Sequence, residues 1–271
     1  PLDFISWHNY STDPQVEKEA TIYNKTAVQL IRDWLAYFHF DPSTPLIVDE
    51  WNYDRYANVA PERGEKSHIS ASYIPIHIKS MYEAGITYQL YFSLEDFQDN
   101  KEGIVRNVGI FSYDSSGQEY KGGPKPLYNV FRMLSLLGVD MFSLKLDDPF
   151  VGLIATKNQD EFSLLVYNYI DPELVMNYIS KNIARLRGAE RNLILAMIKS
   201  GTLEKVVNRQ LEIAKVRATK KMREILKKAI EMQEKAKQAQ AAAREIKLNF
   251  KNLKTAYIYE RYSLDASSAA N

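Results

Sequence analysis

The segment Leu46-Ile47-Val48-Asp49-Glu50-Trp51-Asn52 sets a short apolar, β-branched run directly against two carboxylates, an indole and an amide. A run of this kind predicts a buried strand whose C-terminal end is the polar cluster. The pattern recurs on both sides. Upstream, Leu2 to Trp7 ends in His8-Asn9-Tyr10, followed by helical periodicity from about Lys25 to His39 with Val28, Ile31, Leu35 and Phe38 on one face. Downstream of a helix expected near Ser67 to Glu83, the run Ile86 to Phe92 ends in Ser93-Leu94-Glu95-Asp96, and a further helix is predicted over Leu127–Leu137.

Strands about 40 residues apart with helices between them read as parallel βα units. A doubly wound nucleotide fold needs a Gly-rich first turn, and none of the three strand ends has one. The reading is therefore a (β/α)8 barrel, in which chemistry gathers at the C-terminal strand ends, where the polar clusters fall. Three units do not close an eight-stranded barrel, so the remaining units are expected before Pro1.

Beyond Gly138 the pattern becomes short alternating runs, Met141 to Leu146, Val151 to Thr156 and Phe162 to Tyr169, as expected of antiparallel strands. From about Glu173 to Arg244 it is helical, interrupted at Ser200-Gly201. Leu211, Ala214, Ala218, Met222, Ile225, Ala229, Met232, Ala236, Ala239, Ala243 and Ile246 form a heptad-like seam. Strand signal returns at Ile246 to Phe250 and Ala256 to Tyr262. The expected organisation is thus a partial catalytic barrel over 1–138 and a β-rich domain over 139–271, β-sandwich-like, with a long helical hairpin inserted at about 173–244. All ten prolines lie at or before Pro172 and all eleven glycines at or before Gly201, which fits uninterrupted helix in the later part.

Composition narrows the function. The 271 residues carry 35 Lys+Arg against 34 Asp+Glu, a formal charge of +1, and this balance argues against a nucleic-acid partner. With no Cys, thiol nucleophiles, disulfides and Cys-ligated zinc are excluded. The four histidines, His8, His39, His68 and His77, have no metal-ligand spacing, and there is no phosphate loop or nucleophile elbow, so no cofactor or metal is expected. No apolar run reaches the roughly 20 residues of a membrane helix.

Glu50 is the leading candidate for chemistry. A carboxylate fixed at a strand end can attack an acetal carbon through an oxocarbenium-like transition state, while the neighbouring Trp51 and Asn52 are side-chain types that bind sugars. The same position also suits an exposed loop carboxylate. His8 and Tyr10, two residues apart on an extended chain, point to one side and could bind a substrate hydroxyl or the nucleophile. Glu95, Asp96 and Asp99 form a third cluster, each individually readable as a solvated loop acid.

With these residues assembled, the chain resembles the C-terminal part of glycoside hydrolase family 39, which includes β-xylosidases and α-L-iduronidases. Asp3 to Tyr10 resembles the family's sixth barrel strand and Ile47 to Asn52 its seventh, with the nucleophile. Tyr91-Phe92-Ser93-Leu94-Glu95-Asp96-Phe97 resembles the eighth. Gly109-Ile110-Phe111 and Lys125 to Phe131 resemble the approach to the final barrel helix, and Tyr262-Ser263-Leu264-Asp265 fits the β domain. The resemblance covers about 200 residues and leaves out the helical segment.

The resemblance implies about strands 6–8 of the barrel and retaining hydrolysis of O-glycosidic bonds in poly- or oligosaccharides. In that scheme Glu50 is the nucleophile, and His8, Tyr10, Trp51, Asn52, Phe92, Glu95 and Asp96 line the sugar site. Phe92 or Tyr91 replaces an expected Trp, and Glu95 is an additional acid. The acid/base Glu belongs to a strand expected upstream of Pro1, which leaves this chain alone inactive in that reading. The alternative is a non-catalytic carbohydrate-binding or assembly protein on a degenerate barrel. Carbohydrate is the expected partner, with the helical segment as a surface for protein contact or self-assembly. The resemblance is compatible with a periplasmic or secreted location.

Overall fold

In a computed structural model, the structure describes residues 2–10, 23–53, 68–99, 104–112, 122–144, 146–159, 161–249, 251 and 258–265. The chain forms two compact units, one of residues 1–172 with 264–271 and one of residues 173–263. It is a mixed α/β protein built from small sheets and helices.

The first unit opens with three parallel strands in the order β1-β2-β3: β1 (Ile5–Tyr10), β2 (Leu46–Asn52) and β3 (Tyr88–Tyr91). The connections carry α1 (Tyr23–Tyr37) and α2 (His68–Ala84). Side chains alternate across the sheet as the period of two requires. Ile5 and Trp7 of β1, Leu46 and Val48 of β2 and Tyr91 of β3 pack into one core with Val28 of α1 and Ala71, Tyr73, Ile74 and Met81 of α2. The opposite face is open, and Tyr88 and Leu90 are more than half exposed on it.

After β3 come the hairpin strands β4 (Phe97–Asp99) and β5 (Ile104–Arg106), and then α3 (Pro126–Ser135), which packs on α2. A three-stranded antiparallel sheet follows, in the order β6 (Asp140–Phe142), β7 (Val151–Asn158), β8 (Glu161–Asn168). Gly152 of β7 faces Tyr167 of β8, and a Cβ there would lie 2.0 Å from the phenol ring, so only glycine admits that ring across the ladder. Lys79 of α2 donates to the carbonyls of Leu144 and Leu153, at 3.3 and 2.9 Å, tying α2 to this sheet.

The second unit is helical, though not a two-helix hairpin. It contains α4 (Leu174–Ile183), α5 (Gly188–Lys199), α6 (Thr202–Val207), a 3-10 turn (Ile213–Lys215) and α7 (Lys220–Ala241). Ser200-Gly201 breaks the run as expected, since Gly201 takes a positive φ of 69°. Two further breaks, at 184–187 and 208–219, have no glycine or proline except the Gly188 that opens α5. The seam holds within α7, where Met222, Ile225, Ala229, Met232, Ala236 and Ala239 are buried, but Leu211, Ala214 and Ala218 precede that helix. The strands expected at 246–250 and 256–262 are not formed at the described residues 246–249 and 258–262, and the rest of those runs lies outside the described residues. Beyond β6–β8, no second sheet of a sandwich is formed among the described residues.

Candidate functional site

The C-terminal ends of β1, β2 and β3 meet at an irregularity in register. Trp7 pairs with Val48, but the next residue, His8, pairs with Glu50, so Asp49 is an extra residue on β2. Such a bulge reverses the alternation beyond it. Leu46 and Val48 face the helices before it, and Trp51 faces them after it. Glu50 consequently joins the open face, where a regular strand would have placed it in the core.

There His8 Nδ1 lies 2.5 Å from Glu50 Oε2, and His8 Nε2 lies 3.8 Å from Asp49 Oδ1. The Glu50 side chain is 23% exposed, reachable but sheltered. An imidazole N–H at that distance orients one carboxylate oxygen and leaves the other for a reacting atom. Rings continue away from the pair. Tyr10 is edge-on to His8, Phe92 to Tyr10 and Phe97 to Phe92, with centroids 6.3, 6.5 and 5.8 Å apart. Four of the residues expected at the site, His8, Tyr10, Glu50 and Phe92, are thus brought together.

Trp51, Asn52 and Asp96 are placed elsewhere, for packing reasons. Trp51 is 0% exposed, inside a cage of Tyr73, His77 and Tyr91, and its indole N–H donates to Gln89. It has no open face for a sugar. Asn52 is consumed as a clamp, its amide donating to the carbonyls of Phe92 (2.6 Å) and Val108 (3.1 Å) and its oxygen accepting from the Tyr53 N–H (2.6 Å).

Asp96 is also 0% exposed. Its Oδ1 accepts from Lys125 Nζ at 2.6 Å and from the Gly109 N–H at 2.7 Å, while Oδ2 is buried without a hydrogen-bond partner. Gly109 is required for this arrangement, because a Cβ there would sit 2.1 Å from the Glu95 carbonyl carbon. Glu95 is exposed on the same loop. The side chain of Asp99 and the segment 54–67 after β2 lie outside the described residues.

Two features had no signal in the sequence pattern. One is the Asp96–Lys125 pair, joining residues 29 apart. The other is His77, 0% exposed between the Trp51 and Tyr73 rings at 4.8 and 5.1 Å, with neither ring nitrogen hydrogen-bonded. Burial lowers its pKa to about 3, so the imidazole is neutral. Burial also pushes the Tyr91 phenol well up.

No protein-family model matches the chain, and no curated protein sequence matches it. Among solved structures it is similar to a β-porphyranase of glycoside hydrolase family 86 from the human gut bacterium Bacteroides plebeius. That match has a TM-score of 0.43 and 12% identity, covering 61% of this chain and 30% of the other. A second is an arabinofuranosidase, at a TM-score of 0.37 and 16% identity, covering 60% of this chain and 37% of the other. The chain therefore spans well under half the length of either structure it matches.

Proposed function

We propose that the first unit is the nucleophile-bearing part of a retaining O-glycoside hydrolase of the β-xylosidase and iduronidase type. The observation that carries the reading is Glu50 itself: a sheltered carboxylate turned onto the open strand-end face by a bulge, with His8 2.5 Å away. In this reading the Glu50 oxygen not engaged by His8 attacks the anomeric carbon as the bond to the leaving oxygen breaks. A second carboxyl, about 5–5.5 Å from the first in retaining enzymes, protonates that oxygen and later activates the water that hydrolyses the glycosyl ester. The family resemblance assigns that acid/base to a different barrel strand. Tyr10 and Phe92 offer apolar edges to the sugar, and His8 orients the nucleophile. Sequence 1–138 serves as the catalytic part, with 139–271 as the accessory part.

The test uses a leaving group that needs no acid. The chain is incubated with 2,4-dinitrophenyl 2-deoxy-2-fluoro glycosides, and the protein and its peptides are weighed. One glycosyl unit attached to Glu50, absent in Glu50→Gln, is the expected result. A label on another carboxylate reassigns the nucleophile. No label with any glycoside, alongside sugar binding measured by calorimetry, removes catalysis in favour of a binding protein.

A further inference from the structure

The near-zero charge of the chain conceals a division. The unit of residues 173–263 carries 21 Lys+Arg against 9 Asp+Glu, a net +12, whereas the other unit carries 14 against 25, a net −11. The excess is concentrated in space. Lys221 Nζ donates to the Arg185 carbonyl at 2.5 Å, and Thr219 Oγ1 donates to Glu190 Oε1 at 2.5 Å, which brings the turn between α4 and α5 against the start of α7. Arg185, Arg187 and Arg191 on the turn side and Lys220, Lys221 and Arg223 on α7 are all exposed there. Of the local acids, Glu190 is engaged by Thr219 and by the Arg187 N–H, and Glu224 is exposed beside Arg223.

We infer that this helical unit binds the phosphate backbone of duplex nucleic acid. A basic patch on one face is the electrostatic footprint of such proteins; here it comprises the turn between α4 and α5 and the first turn of α7, with Glu231 and Glu234 further along that helix. The expectation of no nucleic-acid partner rested on the chain total, which averages two oppositely charged units.

Other polyanions fit less well. A membrane surface requires a free apolar helix face, but that of α7 is occupied inside the unit, with Met222, Leu226 and Ala229 at 0% exposure. Single-stranded nucleic acid and neutral carbohydrate are held on exposed rings, which leaves sulfated polysaccharide to the heparin arm of the test below. Tyr178, the one aromatic residue in α4 to α7, is buried, and the exposed rings among this unit's described residues, Tyr259 and Tyr262, lie outside those helices. Charge on a stiff rod is what remains to be recognised, and duplexes present about one negative charge per 1.7 Å.

The test is fluorescence anisotropy of a labelled 20-base-pair DNA duplex, its RNA counterpart and a 20-nucleotide single strand against the full chain from 50 to 300 mM salt. Heparin and anionic phosphatidylserine vesicles are run in parallel. Duplex binding with a Kd of about 1–100 μM is expected, its log affinity falling with log salt by about 0.9 per phosphate neutralised. The variant Arg191→Gln/Lys220→Gln/Arg223→Gln should weaken binding tenfold or more and reduce that slope by about 2–3. Lys25→Gln, on the acidic unit, should change neither.

Far-UV circular dichroism checks that the helices persist, and the double variant Lys220→Gln/Arg223→Gln replaces the triple one if they do not. Duplex binding of either DNA or RNA supports the inference. Absence of salt-sensitive duplex binding, preference for the single strand, capture by heparin or vesicles alone, or an unchanged triple variant overturns it.

Discussion

The two units differ most in what they bury. In the helical unit the core is hydrocarbon: Ile179, Ile194, Val206, Met222, Leu226 and Ala229 are at 0% exposure, and Asn182 is the polar side chain among the buried described residues. The sheet unit buries Asn9, Asn24, Asn52, His77, Asp96, Arg106 and Lys125, among others. Apolar burial is non-directional and forgiving of exchange, whereas each buried polar group demands a partner at the right place. The unit with the candidate carboxylate has therefore accepted fragile interactions that fix geometry. Asn9 to Asn24 at 2.7 Å and Asn24 to Ser80 at 3.1 Å pin β1 to the two helices behind it, and Asp96–Lys125 pins the loop beyond β3 to the start of α3.

Trp7, Trp34 and Trp51 all lie in the sheet unit, so tryptophan fluorescence during urea unfolding reads that unit, while far-UV ellipticity is weighted toward the helical one. The largest effect is expected from Lys125→Met, which leaves Asp96 buried beside an absent cation. It should cost the fluorescence transition about 3–5 kcal/mol, and adding Asp96→Leu should recover much of that. A small loss from the single change would mean that the polar core of the sheet unit is not its weak point.

Leu226→Ala in the hydrocarbon core should cost the ellipticity transition about 2–5 kcal/mol, with the fluorescence transition moving far less. Coincident shifts in both signals would show the two units unfolding as one.

The third effect is pH dependence. His77 has its folded pKa lowered to about 3 from 6.5, so its contribution is fully present above 6.5 and declines as pH falls toward 3, because only the unfolded chain takes up the proton. At pH 4.5 the loss is roughly 2–3 kcal/mol. His77→Phe should remove that share of the slope, read by repeating the fluorescence-detected unfolding at pH 7 and pH 4.5. An unaltered slope would assign acid sensitivity to the carboxylates instead.

The smallest effect belongs to Thr219→Ala, which removes the α7 N-cap acceptor for the Met222 N–H (3.3 Å) and should cost the ellipticity transition about 1 kcal/mol.

Much of the architecture is legible in the amino-acid sequence. The order of three βα units, the change to antiparallel strands after Gly138 and the helical character from about 173 follow from side-chain periodicity and from where glycine and proline occur. Glu50 was locatable because a carboxylate next to an apolar run sits at a strand end whatever the fold around it. Met222, Ile225, Ala229, Met232, Ala236 and Ala239 of α7 were readable for the same reason, since a spacing of three and four defines one helix face, while the buried Leu226 and Ile230 fell outside that seam.

The remainder depended on contacts distant in sequence. A one-residue bulge at Asp49 exchanges the faces of everything after it, so alternation alone could not tell that Glu50 turns outward and Trp51 inward. Asp96 looked like a loop acid, and only the arrival of Lys125 from 29 residues away, with Gly109 close enough to donate, makes it a buried anchor. The extra breaks at 184–187 and 208–219 contain no glycine or proline, and the Thr219 cap is the sequence sign that ends the second. Local periodicity determined which elements form and which faces they bury. The tertiary structure decided which polar side chains face solvent and which are sealed inside, because the cost of burying each depends on a partner that the neighbouring sequence does not contain.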